Sequence, residues 1–221
     1  MPRPALAQED IAAFRRRAVD AAMHLFAEQG YAAVTMRGLG AELGVSAMTP
    51  YRYLSGKDEL FVLVRAEAFR RFADALEAAL AGAPADDPVG RLFELKRAYV
   101  AFAVAQPDAY RIMFELRGVA DPPRGPARDE LAAQSRRAFG CLHRCVVDAV
   151  DGGHLAGDPL THAHLFWAST HGLVSLFLAG QLAKERLQVL AREPWELGAT
   201  AQAKRPSTRP RASRTGKRRT R

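Results

Sequence analysis

Apolar residues in the first third of the chain recur at steps of three and four. Ile11, Phe14, Ala18, Ala22, Leu25 and Phe26 share one stripe, with Arg15 to Arg17 and Glu28 on other faces. This spacing predicts an amphipathic helix that Gly30 ends through a left-handed cap. Thr35 then offers an N-cap hydroxyl to a short helix, Met36 to Leu43, that buries Leu39 and Leu43. Gly44 stops that helix, Val45 supplies an apolar plug, and Ser46 caps a third helix expected over Ala47 to Tyr53. Pro50 falls fourth in that helix; lacking an amide hydrogen, it forfeits a single bond back to the capping residue, so the expected penalty is on the order of one hydrogen bond.

Ser55, Gly56, Lys57 and Asp58 place an acid three residues after a hydroxyl, a capping pattern that opens a fourth helix. Leu60, Phe61, Val64, Ala68, Phe72 and Leu76 carry its stripe to about Leu80. Farther on, Asp87 with Pro88, Gln106 with Pro107 and Asp158 with Pro159 each read as a cap followed by proline in the first helical position. Helices are expected near 88–105, 107–117, 127–150 and 159–180, and a short one over 181–192. No stretch alternates apolar and polar residues with a period of two, so the fold class is all-α.

Two short helices joined at Gly44, with Leu39, Leu43, Val45 and Leu54 as apolar anchors, satisfy the requirements of a helix-turn-helix. The surrounding run of about 45 residues, RAVDAAMHLFAEQGYAAVTMRGLGAELGVSAMTPYRYLSGKDELF, resembles the DNA-binding domain of the TetR family of bacterial transcription regulators. The residues that carry the likeness are Phe26, Gly30 and Tyr31, the Thr35 cap, the LGVS turn, Tyr51 and Tyr53, and Gly56 to Leu60. Trp167, His171 and Gly172 are similar to the WHG type of C-terminal domain found in one branch of that family. Leu54, Gly40 and Pro50 depart from the usual Phe, Ala and Leu-like residues.

The resemblance implies roles. Thr35, Tyr51, Tyr53 and Lys57 fall where relatives grip phosphates, and Arg37, Ala47, Met48 and Thr49 where base edges are read. The chemistry agrees, because hydroxyls and a lysine suit phosphate, arginine pairs with guanine, and a small apolar group meets a thymine methyl. The implied organisation is a three-helix DNA-binding domain over 12–72 (helix-turn-helix about 35–54), a helical ligand-binding and dimerisation domain over 73–197, and a basic disordered tail over 198–221. Implied with it are a homodimer on a palindromic operator and release by a small hydrophobic or aromatic effector. Phe102, Tyr110, Met113, Phe114, Trp167 and His171 are the candidate effector contacts. The uncharged helix from Pro159 to Gly180, with small Ala163, Ala168, Gly172 and Ser175, is the candidate interface, together with the helix before or after it.

Charge adds less than its size suggests. The net charge is +8, but Ala203 to Arg221 holds nine basic residues and no acid, so the remainder sits near −1. The tail can add salt-sensitive, nonspecific DNA affinity; an architectural DNA protein driven by it is one competing reading. A metal-responsive regulator is another, since Cys141, His143, Cys145, His154, His162 and His164 crowd one region, although His143 points away from the two cysteines on a helix. With 48% hydrophobic residues the chain can build a full core. Two cysteines four apart make no disulfide framework, and no basic-then-apolar leader is present, so a cytoplasmic protein is expected. Ala163 to Ala183 is uncharged for 21 residues but carries His164, His171 and Gln181, which favours a buried helix over a membrane span. Phosphate-binding glycine loops, HExxH and GxSxG are missing, so neither enzymatic activity nor a cofactor is expected.

Overall fold

The computed structural model describes residues 8–116, 118 and 124–193. Their order is α1 (Gln8–Ala33), α2 (Met36–Glu42), a 3-10 turn (Pro50–Arg52), α3 (Lys57–Ala81), α4 (Pro88–Ala105), α5 (Pro107–Phe114), α6 (Pro126–Asp151), α7 (Pro159–Leu178) and α8 (Lys184–Arg192). Among the described residues there is no strand. The expected all-α class is what is found. The 198–221 tail and the last residues of the 73–197 segment lie outside the described residues.

The caps explain most boundaries. Thr35 Oγ1 accepts from Gly38 N at 3.0 Å and starts α2. Asp87 Oδ1 accepts from Gly90 N at 2.8 Å before α4, and Asp158 Oδ2 from Thr161 N at 2.7 Å before α7, each followed by proline. Gln106 does not cap α5 with its side chain. Its longer amide is a poorer fit to this geometry, and its backbone N–H instead closes α4 on Phe102 O at 2.8 Å. The capping acid at α3 is also one residue later than expected. Glu59 Oε2 accepts from both Ser55 N (2.6 Å) and Ser55 Oγ (2.9 Å), while Asp58 takes the Tyr31 hydroxyl.

Helix α3 holds the molecule together. Its stripe of Leu60, Phe61, Val64, Ala68, Phe72 and Leu76 is buried along its length, first against α1 and then against α4, α5 and α6. Because α3 runs unbroken through residues 72 and 73, the N-terminal helices and the C-terminal bundle share one rod. Ion pairs reinforce it on the outside: Arg71 joins Asp20 of α1, and Arg137 of α6 reaches Asp74 (2.7 Å) and Glu77 (2.5 Å). These pairs are partly exposed and set register more than stability.

Candidate nucleic-acid interface and candidate effector cavity

The segment between α2 and α3 differs from expectation in a way Pro50 explains. Residues 47–49 form turns, and only Pro50 to Arg52 are helical, with 3-10 bonding. Proline cannot donate to Ser46 O, so that carbonyl accepts from Thr49 N instead (2.9 Å), and Arg52 N bonds Thr49 O (3.0 Å). The chain settles into the three-residue pattern, in which proline opens a turn and is not buried within an α-helix. Ser46 Oγ pairs with Thr49 Oγ1 at 2.9 Å and is not seen capping a backbone amide. The expected α-helix over Ala47 to Tyr53 is therefore replaced by a turn that ends in the 3-10 segment Pro50–Arg52.

Neighbouring elements hold this turn. At its entry, Val45 N bonds Gly40 O (2.9 Å) and Gly44 N bonds Ala41 O (3.0 Å), with Gly44 at φ 66°, a paired closure that needs a left-handed residue. A Cβ on Gly40 would stand 3.2 Å from Ser46 O and 3.3 Å from the Ala47 Cα, so α2 and the turn approach as closely as a glycine permits. At its exit, Phe14 stacks on the Tyr53 ring (4.0 Å between centroids, 20°), and Arg15 Nε donates to Tyr53 O at 2.9 Å. The same guanidinium meets Glu59 at 3.3 Å, and Glu59 holds Ser55. The sequence reading sets Arg15 to Arg17 together on faces away from the apolar stripe; the place of Arg15 beside Phe14 is the signal that distinguishes it.

The predicted DNA-contacting residues divide into two groups. Thr35, Arg37, Met48 and Tyr51 are exposed, Met48 by 68% and Tyr51 by 51%, so neither of the last two is a packing residue. Ala47, Thr49, Tyr53 and Lys57 are half-buried. Lys57 Nζ donates to Tyr31 O (3.0 Å) and Ala32 O (3.3 Å) and lies 4.4 Å from the Tyr31 ring centre, locking α3 to the end of α1. Burial, with help from Asp58, pushes the Tyr31 hydroxyl up to about 12, so it stays a donor at neutral pH.

The second site is a cavity of about 210 Å³ lined by α3 to α7 and open on one side. Of the six candidate contacts, Phe114 and Trp167 line it. Phe102, Tyr110, Met113 and His171 do not. Phe102 packs on Phe72 (5.1 Å between centroids), and Tyr110 and Met113 are fully buried in the surrounding core. His171 is tied to Tyr110 (Oη to Nδ1, 2.5 Å) and Tyr99 (3.2 Å). Burial lowers its pKa, and in the neutral ring an unprotonated Nδ1 accepts the closer Tyr110 hydroxyl, with the Tyr99 hydroxyl also within 3.3 Å of the Tyr110 oxygen. Desolvation likewise pushes Tyr99 up to about 12 and raises Tyr110. The linings that sequence reasoning missed include Phe69, Phe72, Tyr99 and Phe139.

Among the described residues, no three His, Cys, Asp or Glu side chains converge on a point that could hold a metal. Cys141 and Cys145 are buried free thiols whose pKa values burial raises. Among the same residues, no helix is long and apolar enough to cross a membrane.

Comparison with known proteins bears on both sites. Residues 18–64 match the family described as bacterial regulatory proteins, tetR family, and residues 92–200 match the tetracyclin repressor-like C-terminal domain. The HTH-type transcriptional regulator Rv1816 of Mycobacterium tuberculosis (strain ATCC 25618 / H37Rv) is 23% identical over 188 residues, covering 72% of this chain and 78% of that protein. The crystal structure of the regulatory protein SCO4313, described as putative by those who solved it, superposes with a TM-score of 0.66 at 26% identity, over 85% of this chain and 95% of that one. The structure of AibR in complex with isovaleryl coenzyme A and operator DNA shares the fold, with a TM-score of 0.63 at 18% identity over 80% and 95% of the two chains.

Proposed function

The chain belongs to the TetR family of helix-turn-helix transcription regulators, and from that premise we propose that it is a ligand-released repressor that binds a palindromic operator as a homodimer. The observation that carries the reading is the exposure of Met48 and Tyr51 on a turn clamped from both ends. Large apolar side chains held rigidly in solvent are in position to meet base edges and sugar-phosphate. In this reading Arg37, Ala47, Met48 and Thr49 face the bases, Thr35 and Tyr51 face phosphates, and Tyr53 and Lys57 support the turn beside the backbone they approach.

A single turn reaches only a few base pairs, so a two-fold partner reading a half-site about 34 Å away supplies the rest. Helix α7 supports this role. Leu165, Ala168, Gly172 and Leu176 follow one another along a face with two large apolar residues exposed, and Val189 of α8 is exposed as well. Ala163, offered earlier as an interface residue, is fully buried in its own subunit. The cavity supplies the effector site, and α3, which forms its wall and also braces the reading turn, links the two. For release to occur, the effector must prefer the arrangement that fits DNA less well; couplings of about 1–3 kcal/mol are typical.

The test is selection of duplexes from a random pool by the purified chain, followed by footprinting and sedimentation. A palindromic protected site bound by two chains is expected. A monomer indifferent to sequence would overturn the proposal, and uniform binding that vanishes on deletion of residues 203–221 would favour the architectural reading.

A further inference from the structure

The cavity's walls narrow the choice of occupant, on the premise that it is the effector site proposed above. Its surface is mostly rings: Phe69 and Phe72 from α3, Tyr99 from α4, Phe114 from α5, Phe139 from α6 and Trp167 from α7. They do not lie parallel. Phe72 meets Tyr99 edge-on (5.0 Å, 89°), Phe69 meets Phe114 edge-on (5.6 Å, 80°), and Phe139 meets Trp167 at 62° and 6.0 Å. Such a wall presents faces and edges in several directions, which suits an aromatic guest making offset and T-shaped contacts.

The polar atoms of the lining already point at protein partners. Ser135 Oγ donates to Ala132 O (3.2 Å), Thr170 Oγ1 to Phe166 O (3.0 Å), and His164 Nδ1 bonds Leu160 O (2.8 Å). Tyr99 is held by Tyr110 and His171. The one lysine, Lys96, donates one of its three N–H bonds to the carbonyl of Glu193 just beyond α8 (2.8 Å), and the charge of Glu193 acts on it as well, so a carboxylate guest would meet an ammonium already balanced by an acid. With these groups already engaged, a polar guest gains less from hydrogen bonding here than an apolar guest of the same size gains from the ring-lined wall.

Volume sets the size. An apolar cavity of about 150 Å³ accepts benzene, so by proportion this one has room for about eight to ten non-hydrogen atoms. A sixteen-carbon acyl chain is roughly twice too large to be covered whole, and the remainder would extend through the open side. We infer that the cavity takes a compact, uncharged aromatic molecule of one or two fused rings and discriminates against long acyl chains and carboxylates.

The full chain is titrated calorimetrically, and its melting followed, with indole, naphthalene, indole-3-carboxylate and palmitate. Indole and naphthalene are expected to bind once per chain and raise Tm, with the carboxylate and palmitate weaker by about tenfold or more. Ala138→Phe fills the cavity from α6; Ser135→Leu does so with a residue only half-buried, should the first variant fold poorly. Either folded variant should weaken indole by at least about tenfold. Absence of saturable indole and naphthalene binding, tighter binding of palmitate or the carboxylate, or unchanged affinity in a folded filled variant would overturn the inference. Operator release is read separately on the same samples. Aromatic binding without release leaves this inference standing and removes the effector role; release by palmitate with no aromatic binding does the reverse.

Discussion

The turn proposed to read DNA and the cavity proposed to hold an effector are built from opposite materials. The turn is closed by short-range bonds of the 3-10 type, carries Met48 and Tyr51 in solvent, and is clamped by groups from α1, α2 and α3. The cavity lies among rings from five helices, and its polar atoms are bonded inward. The contrast teaches how stability and specificity are divided. Changes near the cavity should register first in the folded state, and changes at the turn first in DNA binding.

The largest expected effect tests the cavity side. Tyr110 is fully buried and bonded to His171. Tyr110→Ala should cost about 3–5 kcal/mol, lowering Tm by roughly 10 °C or more in a calorimeter, while the sequence preference of the molecules that remain folded is unchanged. A shift in preferred bases would break the division.

Next in size is the clamp. Arg15→Ala removes the bond to Tyr53 O and the contact to Glu59. Operator affinity should fall about tenfold with the slope of log affinity against log salt unchanged, because the residue acts by positioning the turn. A slope reduced by about one would mean that Arg15 touches phosphate itself. Smaller again, Thr35→Ala loses the α2 cap and should cost about 1 kcal/mol in urea unfolding.

The smallest effect is a pH dependence. Burial lowers the His171 pKa below its ordinary value of 6.5. The unfolded chain then binds the proton more readily, so the stability held by the neutral ring is present above about pH 6.5 and declines as pH falls toward the folded value. Melting curves in acid should be shallower in their pH response for His171→Gln than for the parent.

Sequence legibility follows the same division. Thr35, Gly44, Asp87, Asp158 and the α3 stripe were readable because caps, turns and helical periodicity depend on residues within one or two turns of each other. The turn after Gly44 is legible but its bonding is not: counting the cost of Pro50 as one lost bond within an α-helix leaves out the 3-10 bonding that avoids that cost. The cavity was mostly illegible. Phe114 and Trp167 were found, but whether Phe139 or Phe102 faces it depends on how five helices pack, and local spacing contains no information on that.

The most direct test of the central claim is operator binding by Met48→Glu. Met48 is 68% exposed, so the substitution should leave Tm unchanged. The account predicts affinity for the selected palindrome reduced by about 10- to 100-fold, with much less change on unrelated duplex. A folded Met48→Glu protein that binds the palindrome as tightly as the parent would contradict it.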